Sequence, residues 1–403
     1  MATVNMTNEQ KTLLNLIGNN LFSMPLNIDE NVDWNSVISE SKVQTVELIA
    51  FNKYKSLPIS EENKKHLKDQ IKKNNISTVN CFEGHRYIHN LMSKNDIPYC
   101  IIKGVASARY YPEPMLRSMG DIDFYVSPDN LSKAKEILKA DGFEFIDKSH
   151  PHHLELKKDT KYLELHFAPI DIFNNKMQSL LYEYWSDICE TAKPYNDGFA
   201  EYVLPSAFHH GFILLTHFQS HLISSGVGLR HLCDWAVFAN SFSNEEFISI
   251  FQSKLKKAGL WRLAQVLSLV SVKYFGAPHQ EWMGNDFATA QALLLDVFHG
   301  GNFGRKERNR TFQGFFISNN KKSSQNKSPF IRKFASVTNI IKRRWPIAEK
   351  YPILCVFGFV FFSVRVIVNV VLGRRKVDFI GNYKQIDKRT ELYTNLRLFE
   401  PEE

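Results

Sequence analysis

Cysteine is scarce and unpatterned in this chain. The 403 residues hold five, Cys81, Cys100, Cys189, Cys233 and Cys355, and no two form a C-x-x-C pair. That argues against a disulfide framework and a cysteine zinc ribbon, and it fits a reducing compartment. No H-E-x-x-H and no Cys/His zinc signature occurs. The opening MATVNMTNEQKTLLN has no basic stretch followed by an apolar run. No signal peptide is therefore read, and the expected location is the cytoplasm. No internal repeat is found. No motif that reads DNA or RNA is present, so nucleic acid is not an expected partner.

Apolar residues make up 44% of the chain and aromatics 13%, enough for a real core and against global disorder. The length suits two or three domains. A net charge of +8 and a pI near 9.0 lean toward anionic partners: nucleotides, sugar phosphates or an anionic membrane surface.

Five regions are expected. Residues 1–95 read as a helical cap, with Thr7/Gln10, Asp33 and Ser60/Asn63 as helix starts. Residues 96–205 read as a compact α/β core. In it IPYCIIKG is a buried strand, VASARYY one or two helical turns, DIDFYV a strand, NLSKAKEILKADG a helix and FEFID a strand. HHLELKK and KYLELHF then form a hairpin. Residues 206–300 return to helix. Residues 301–340 form a basic loop, with nine Lys/Arg against one acid between 305 and 333. Residues 341–403 carry an apolar helix and tail.

DIDFYV raises the functional question. Strand side chains alternate, so Asp121 and Asp123 share one face. Two like charges heading for an interior need compensation. A divalent cation supplies it, and Mg²⁺ (or Mn²⁺) prefers a few carboxylates with phosphate oxygens and water. The bland alternative is a pair of solvent-facing aspartates at a strand start. Lys103-Gly104 ends the preceding strand and opens a short helix, where backbone N–H groups and a lysine suit a phosphate. In KYLELHF, Tyr162, Glu164 and His166 share a face, so Glu164 is the favoured third acid, with Glu155 the competing choice.

At IIKGVASARYYPEPMLRSMGDIDFYV, the following HH and LELHF, the sequence resembles the nucleotidyltransferase superfamily of polymerase β-like fold. It is more closely similar to a bacterial nucleotidyltransferase family with K-G in place of the Gly-Ser turn. HFQSHLISSGVGLRHLCDW resembles that family too. The likeness spans roughly residues 95 to 240. It implies an α+β, polymerase β-like mixed-sheet core flanked by helices. It also implies Mg²⁺-dependent transfer of a nucleoside monophosphate from an NTP to an acceptor hydroxyl. The acceptor is open among a sugar or glycan intermediate, a metabolite and a protein side chain. By this resemblance Asp121, Asp123 and Glu164 are catalytic and metal-ligating. Lys103, Gly104, Ser107, Arg117, Ser118 and His166 are expected at the nucleotide. Val105 stands where the wider superfamily has serine, and the gap from Gly104 to Asp121 is long. Both departures motivate an alternative: a non-catalytic, antitoxin-like binding module of the same fold.

Several features stand outside that reading. His150, His152 and His153 precede the hairpin. His210, His217 and His221 fall on one helical face, open to cleft lining, packing or a structural metal. Arg230 and Asp234 are i,i+4 and read as a structural ion pair, although the family resemblance implies that this segment faces the site. Residues 351–373 are long enough to span a bilayer, yet Arg365 and Asn369 interrupt them. A buried helix, a membrane-surface helix and a span all stay open. Peripheral membrane contact through 341–376 makes a membrane-peripheral assembly protein a further alternative.

Overall fold

The computed structural model describes residues 6–147, 151–169, 175–307, 310, 347–351, 353–358, 361, 379–398 and 400–402. His150, most of the basic stretch 301–340 and most of the apolar stretch 351–373 lie outside the described residues. Among the described residues no helix is long and apolar enough to cross a membrane.

The three helix starts read from the sequence are capped as expected. Thr7 and Gln10 form a reciprocal capping box on α1 (Asn8–Phe22). Asp33 accepts from the Asn35 amide at the start of α2 (Trp34–Val43). After the one-turn α3 (Glu47–Ala50), Ser60 accepts from the Asn63 amide and starts α4 (Glu61–Lys94). Each such cap satisfies amides that the first helical turn leaves without a partner.

The sheet that follows is mixed, with strand order β1 (Tyr99–Ile101), β2 (Ile122–Val126), β5 (Lys161–His166), β4 (His153–Lys158), β3 (Glu144–Asp147). β2 and β5 run parallel, while the other neighbours are antiparallel. Between them lie the one-turn α5 (Val105–Ala108) and α6 (Leu131–Ala140). One face of the sheet is apolar: Ile122, Phe124, Leu154, Leu156, Leu163 and Leu165 are all buried. α4 packs there so closely that a Cβ on Gly84 would lie 2.1 Å from Ile122 Cδ1. The opposite face carries the polar members of the same alternation.

Beyond the sheet come α7 (Asn175–Trp185) and a small hairpin, β6 (Lys193–Asn196) with β7 (Glu201–Leu204). A helical region follows: α8 (Ala207–Ile223), α9 (Leu229–Ala239), shorter helical pieces over residues 244–257, then α10 (Trp261–Phe275) and α11 (Phe287–Gly300). Its core holds Trp235, Phe238, Phe247 and Phe251, all at most 1% exposed. The chain is thus α+β, and α8 and α9 face the polar side of the sheet across a cleft.

α4 runs unbroken to Lys94, inside the expected helical cap, with its second half packed on the sheet. Other elements differ from the sequence reading. The acidic strand begins at Ile122, and Asp121 sits in the bend before it. α7 and the β6–β7 hairpin were not anticipated.

Candidate active site

The parallel pairing of β2 with β5 sets Asp123 directly beside Glu164. Asp121, two residues back on the same face, completes the group: one carboxylate oxygen from each of the three lies within 4.8 Å of the others. Glu155 is the antiparallel register partner of Glu164 on β4. It stands one strand further out and, among the described residues, does not join that group. A second group within the same distance is His153, Glu164 and His166. These acidic and imidazole groups can hold a metal ion. The all-oxygen set fits a hard divalent cation such as Mg²⁺.

Asp123 is 2% exposed, and its charge is compensated locally. Lys103 Nζ donates to Asp123 Oδ1 at 2.6 Å and lies 4.0 Å from Glu164 Oε2. His166 Nε2 donates to the same Oδ1 at 3.0 Å and lies 3.3 Å from Glu164 Oε2. Both contacts fall on Oδ1, so Oδ2 is left for a ligand. Burial alone would raise the Asp123 pKa, but the Lys103 charge and the His166 hydrogen bond hold it well below the usual carboxylate range. Asp121 moves the other way: the Asp123 charge, then burial, push its pKa up. Burial would likewise lower Lys103 and His166, yet the acids beside them leave both raised. The two neighbouring carboxylates therefore have oppositely shifted pKa values, Asp123 held down by its cationic partners and Asp121 pushed up by Asp123.

The turn after β1 is fixed from below. Gly104 adopts φ +60° and ψ −113°, a conformation that only glycine takes readily. A Cβ there would lie 2.3 Å from His85 Cε1. His85, on α4, is fully buried and bonded through Nδ1 to the Cys81 carbonyl at 2.7 Å. Ser107 sits on α5 with Oγ 3.5 Å from His210 Nε2. His210 is itself buried against Tyr110, with stacked ring centroids 5.5 Å apart.

Across the cleft, the expected Arg230–Asp234 pair does not form. Asp234 is taken by Arg117, with Nε to Oδ1 at 2.8 Å and Nη2 to Oδ2 at 2.9 Å, and Tyr111 donates to Oδ1 at 2.7 Å. The bidentate fork and full burial make this the stronger contact. Burial would raise Asp234, and Arg117 outweighs it. Arg230 donates instead to the Ser118 carbonyl at 3.0 Å. Burial, then the neighbouring Arg117, lower its pKa. Ser118 thus contributes its backbone, and Arg117 braces the cleft wall.

Residues 30–276 match the model of a family described as uncharacterised nucleotidyltransferase. The chain belongs to that nucleotidyltransferase family. No curated protein matches it.

In this family member the site lies between two cavities. One, of about 260 Å³, is lined by Lys103, Gly104, Ser107, Asp123, His166 and the α8–α9 wall. The other, of about 560 Å³, is lined by Ser118, Glu155, Tyr162 and Arg305 among others. Asp121, Glu164, Arg230 and Phe303 line both. His217, His221 and His231 lie in the smaller cavity. His217 and His221 share an Nε2–Nε2 hydrogen bond of 3.0 Å, and the three do not form a metal-ligating group among the described residues. Sequence reasoning missed Phe303 as a cleft residue, and it placed the Arg230 segment at the site only through the family resemblance, with Arg230 itself read as a structural ion-pair member. Arg230 was masked by its local i,i+4 acid, and Phe303 carries no signal in a stretch read as a basic loop.

Proposed function

We propose that the chain is a Mg²⁺-dependent nucleotidyltransferase of polymerase β-like fold: an acceptor hydroxyl bonds to the α-phosphorus of an NTP and gives up its proton to a base, the α–β phosphoanhydride bond breaks, and pyrophosphate leaves. The observation that carries this reading is the convergence of Asp121, Asp123 and Glu164 across the parallel β2–β5 pair. These three carboxylates hold the cation (Mn²⁺ is the alternative ion). When bound, it neutralises phosphate charge and lowers the pKa of an attacking hydroxyl. His166 orients Asp123, and Lys103 balances the acids and lies beside the phosphates. Gly104 lets the backbone turn approach the phosphates, and Ser107 lines the same wall. Arg117 keeps α9 against the site. The acceptor enters as a hydroxyl compound: a sugar or glycan intermediate, a metabolite or a protein side chain.

A second reading, a non-catalytic module of the same fold, rests on the Lys103–Asp123 ion pair, which compensates the carboxylate without a cation. Calorimetry with each of four NTPs, with and without Mg²⁺, separates the two. Catalysis expects binding that needs Mg²⁺ and is lost in Asp123→Asn and Glu164→Gln while Glu155→Gln retains it. Binding indifferent to both Mg²⁺ and Asp123→Asn sinks the catalytic reading.

A further inference from the structure

We propose that Arg230 grips the polyphosphate of the nucleotide. The inference rests on the nucleotidyl-transfer reading above and names the side chain that recognises the donor's phosphates. Three basic side chains, Lys103, Arg117 and Arg230, line the smaller cavity. Lys103 faces Asp123 and Glu164, and Arg117 is held bidentately by Asp234. Arg230 has no carboxylate within ion-pair distance among the described residues. Its one hydrogen bond there goes to a neutral acceptor, the Ser118 carbonyl. Its Nε is buried with no partner among those residues.

An enclosed guanidinium with an unpaired donor and no carboxylate in contact is costly to keep. The fold keeps it where both cavities meet, beside the acids that would hold a metal. Asp234, one turn along α9, makes no ion pair with it, because both Asp234 oxygens are bonded to Arg117 and Tyr111. A phosphate supplies what is missing, since a planar fork of N–H donors matches its oxygens two at a time. A metal-bound triphosphate also brings negative charge to both sides of the cleft, so the carboxylates and Arg230 are compensated together.

The test is calorimetry on wild type, Arg230→Ala and Arg230→Lys, with Mg²⁺ and each of four NTPs and the matching monophosphates. Melting curves check folding. For the NTP that wild type binds, Arg230→Ala is expected to weaken binding about tenfold to a hundredfold. Arg230→Lys, which keeps the charge and loses the fork, should fall between, and monophosphate binding should change far less. In wild type, Mg²⁺–NTP should shield Arg230 from phenylglyoxal, read by mass spectrometry without any variant. Should Arg230→Ala fail to fold, Arg230→Lys and the shielding decide. Unchanged NTP affinity in the folded variants, or unshielded Arg230 while Asp123→Asn still abolishes binding, overturns the inference alone. If wild type binds no NTP with Mg²⁺, the functional reading and this inference fall together.

Discussion

Acid should undo the floor of the site through two histidines. His85 and His210 are fully buried, and burial lowers their pKa values to about 4 and about 3. His85 Nδ1 faces a carbonyl, which only accepts, so Nδ1 carries the proton and the ring is neutral. Unfolded, each titrates near the ordinary value of about 6.5. The unfolded chain therefore binds protons that the native state refuses. The contribution to stability is complete above the unfolded pKa and declines as pH falls toward the folded values. Each histidine gives a slope of about 1.4 kcal/mol per pH unit, so two lose about 5 kcal/mol by pH 4.5. That is comparable to the whole net stability of an ordinary domain, about 5–15 kcal/mol. His217, His221 and His231, also depressed by burial, act in the same direction. His166 acts oppositely: its pKa is raised, so its contribution is full below the unfolded value and is lost as pH rises through the folded value. Urea unfolding followed by circular dichroism between pH 7.5 and 4.5 reads the slope. His210→Phe keeps a ring against Tyr110 and Phe238 and should remove one proton from it. A flat profile in wild type, or an unaltered slope in His210→Phe, refutes the reasoning.

Two further outcomes follow from packing. Gly104→Ala should cost about 3 kcal/mol or more, since backbone strain and overpacking act together; adding His85→Ala should restore only the part due to contact, as urea midpoints would show. Asp234→Asn should cost about 3–5 kcal/mol in the same assay, because it leaves the Arg117 guanidinium buried without its anion.

What the sequence reveals of the fold follows from local rules. Caps at Thr7, Asp33 and Ser60 and the alternation in DIDFYV and KYLELHF are written in neighbouring residues, and the structure follows them. Non-local pairing is not written there. Glu155 and Glu164 sit on equally good alternating strands, and the parallel β2–β5 register is what brings Glu164 to Asp123. Arg117 and Asp234 are 117 positions apart, so the nearer Arg230 is the partner that spacing offers. The second half of α4 holds β-branched residues and Gly84, weak helix formers by themselves. Its helicity comes from the sheet it packs against. The β6–β7 turn has a local signal: Asn196-Asp197-Gly198, with Gly198 at φ +91°, is a composition that favours a hairpin turn.

The two aspartates on one face pose an electrostatic problem that Lys103 solves only in part. Lys103 and His166 both bond to Asp123, which leaves Asp121 raised by its neighbour's charge. A divalent cation would relieve that repulsion in the native state alone, because the unfolded chain does not hold the three acids together. Mg²⁺ should therefore stabilise the fold by linkage, by about 1.4 kcal/mol at a concentration tenfold above its dissociation constant. Melting temperatures with EDTA and with MgCl₂ measure this, and the gain should vanish in Asp121→Asn/Asp123→Asn. Lys103→Met sharpens the test: it removes the competing cation, so the variant should be less stable in EDTA and gain more from Mg²⁺ than wild type. Equal gains in wild type and the double asparagine variant would mean that Mg²⁺ acts elsewhere and that Lys103 is the only cation these carboxylates require.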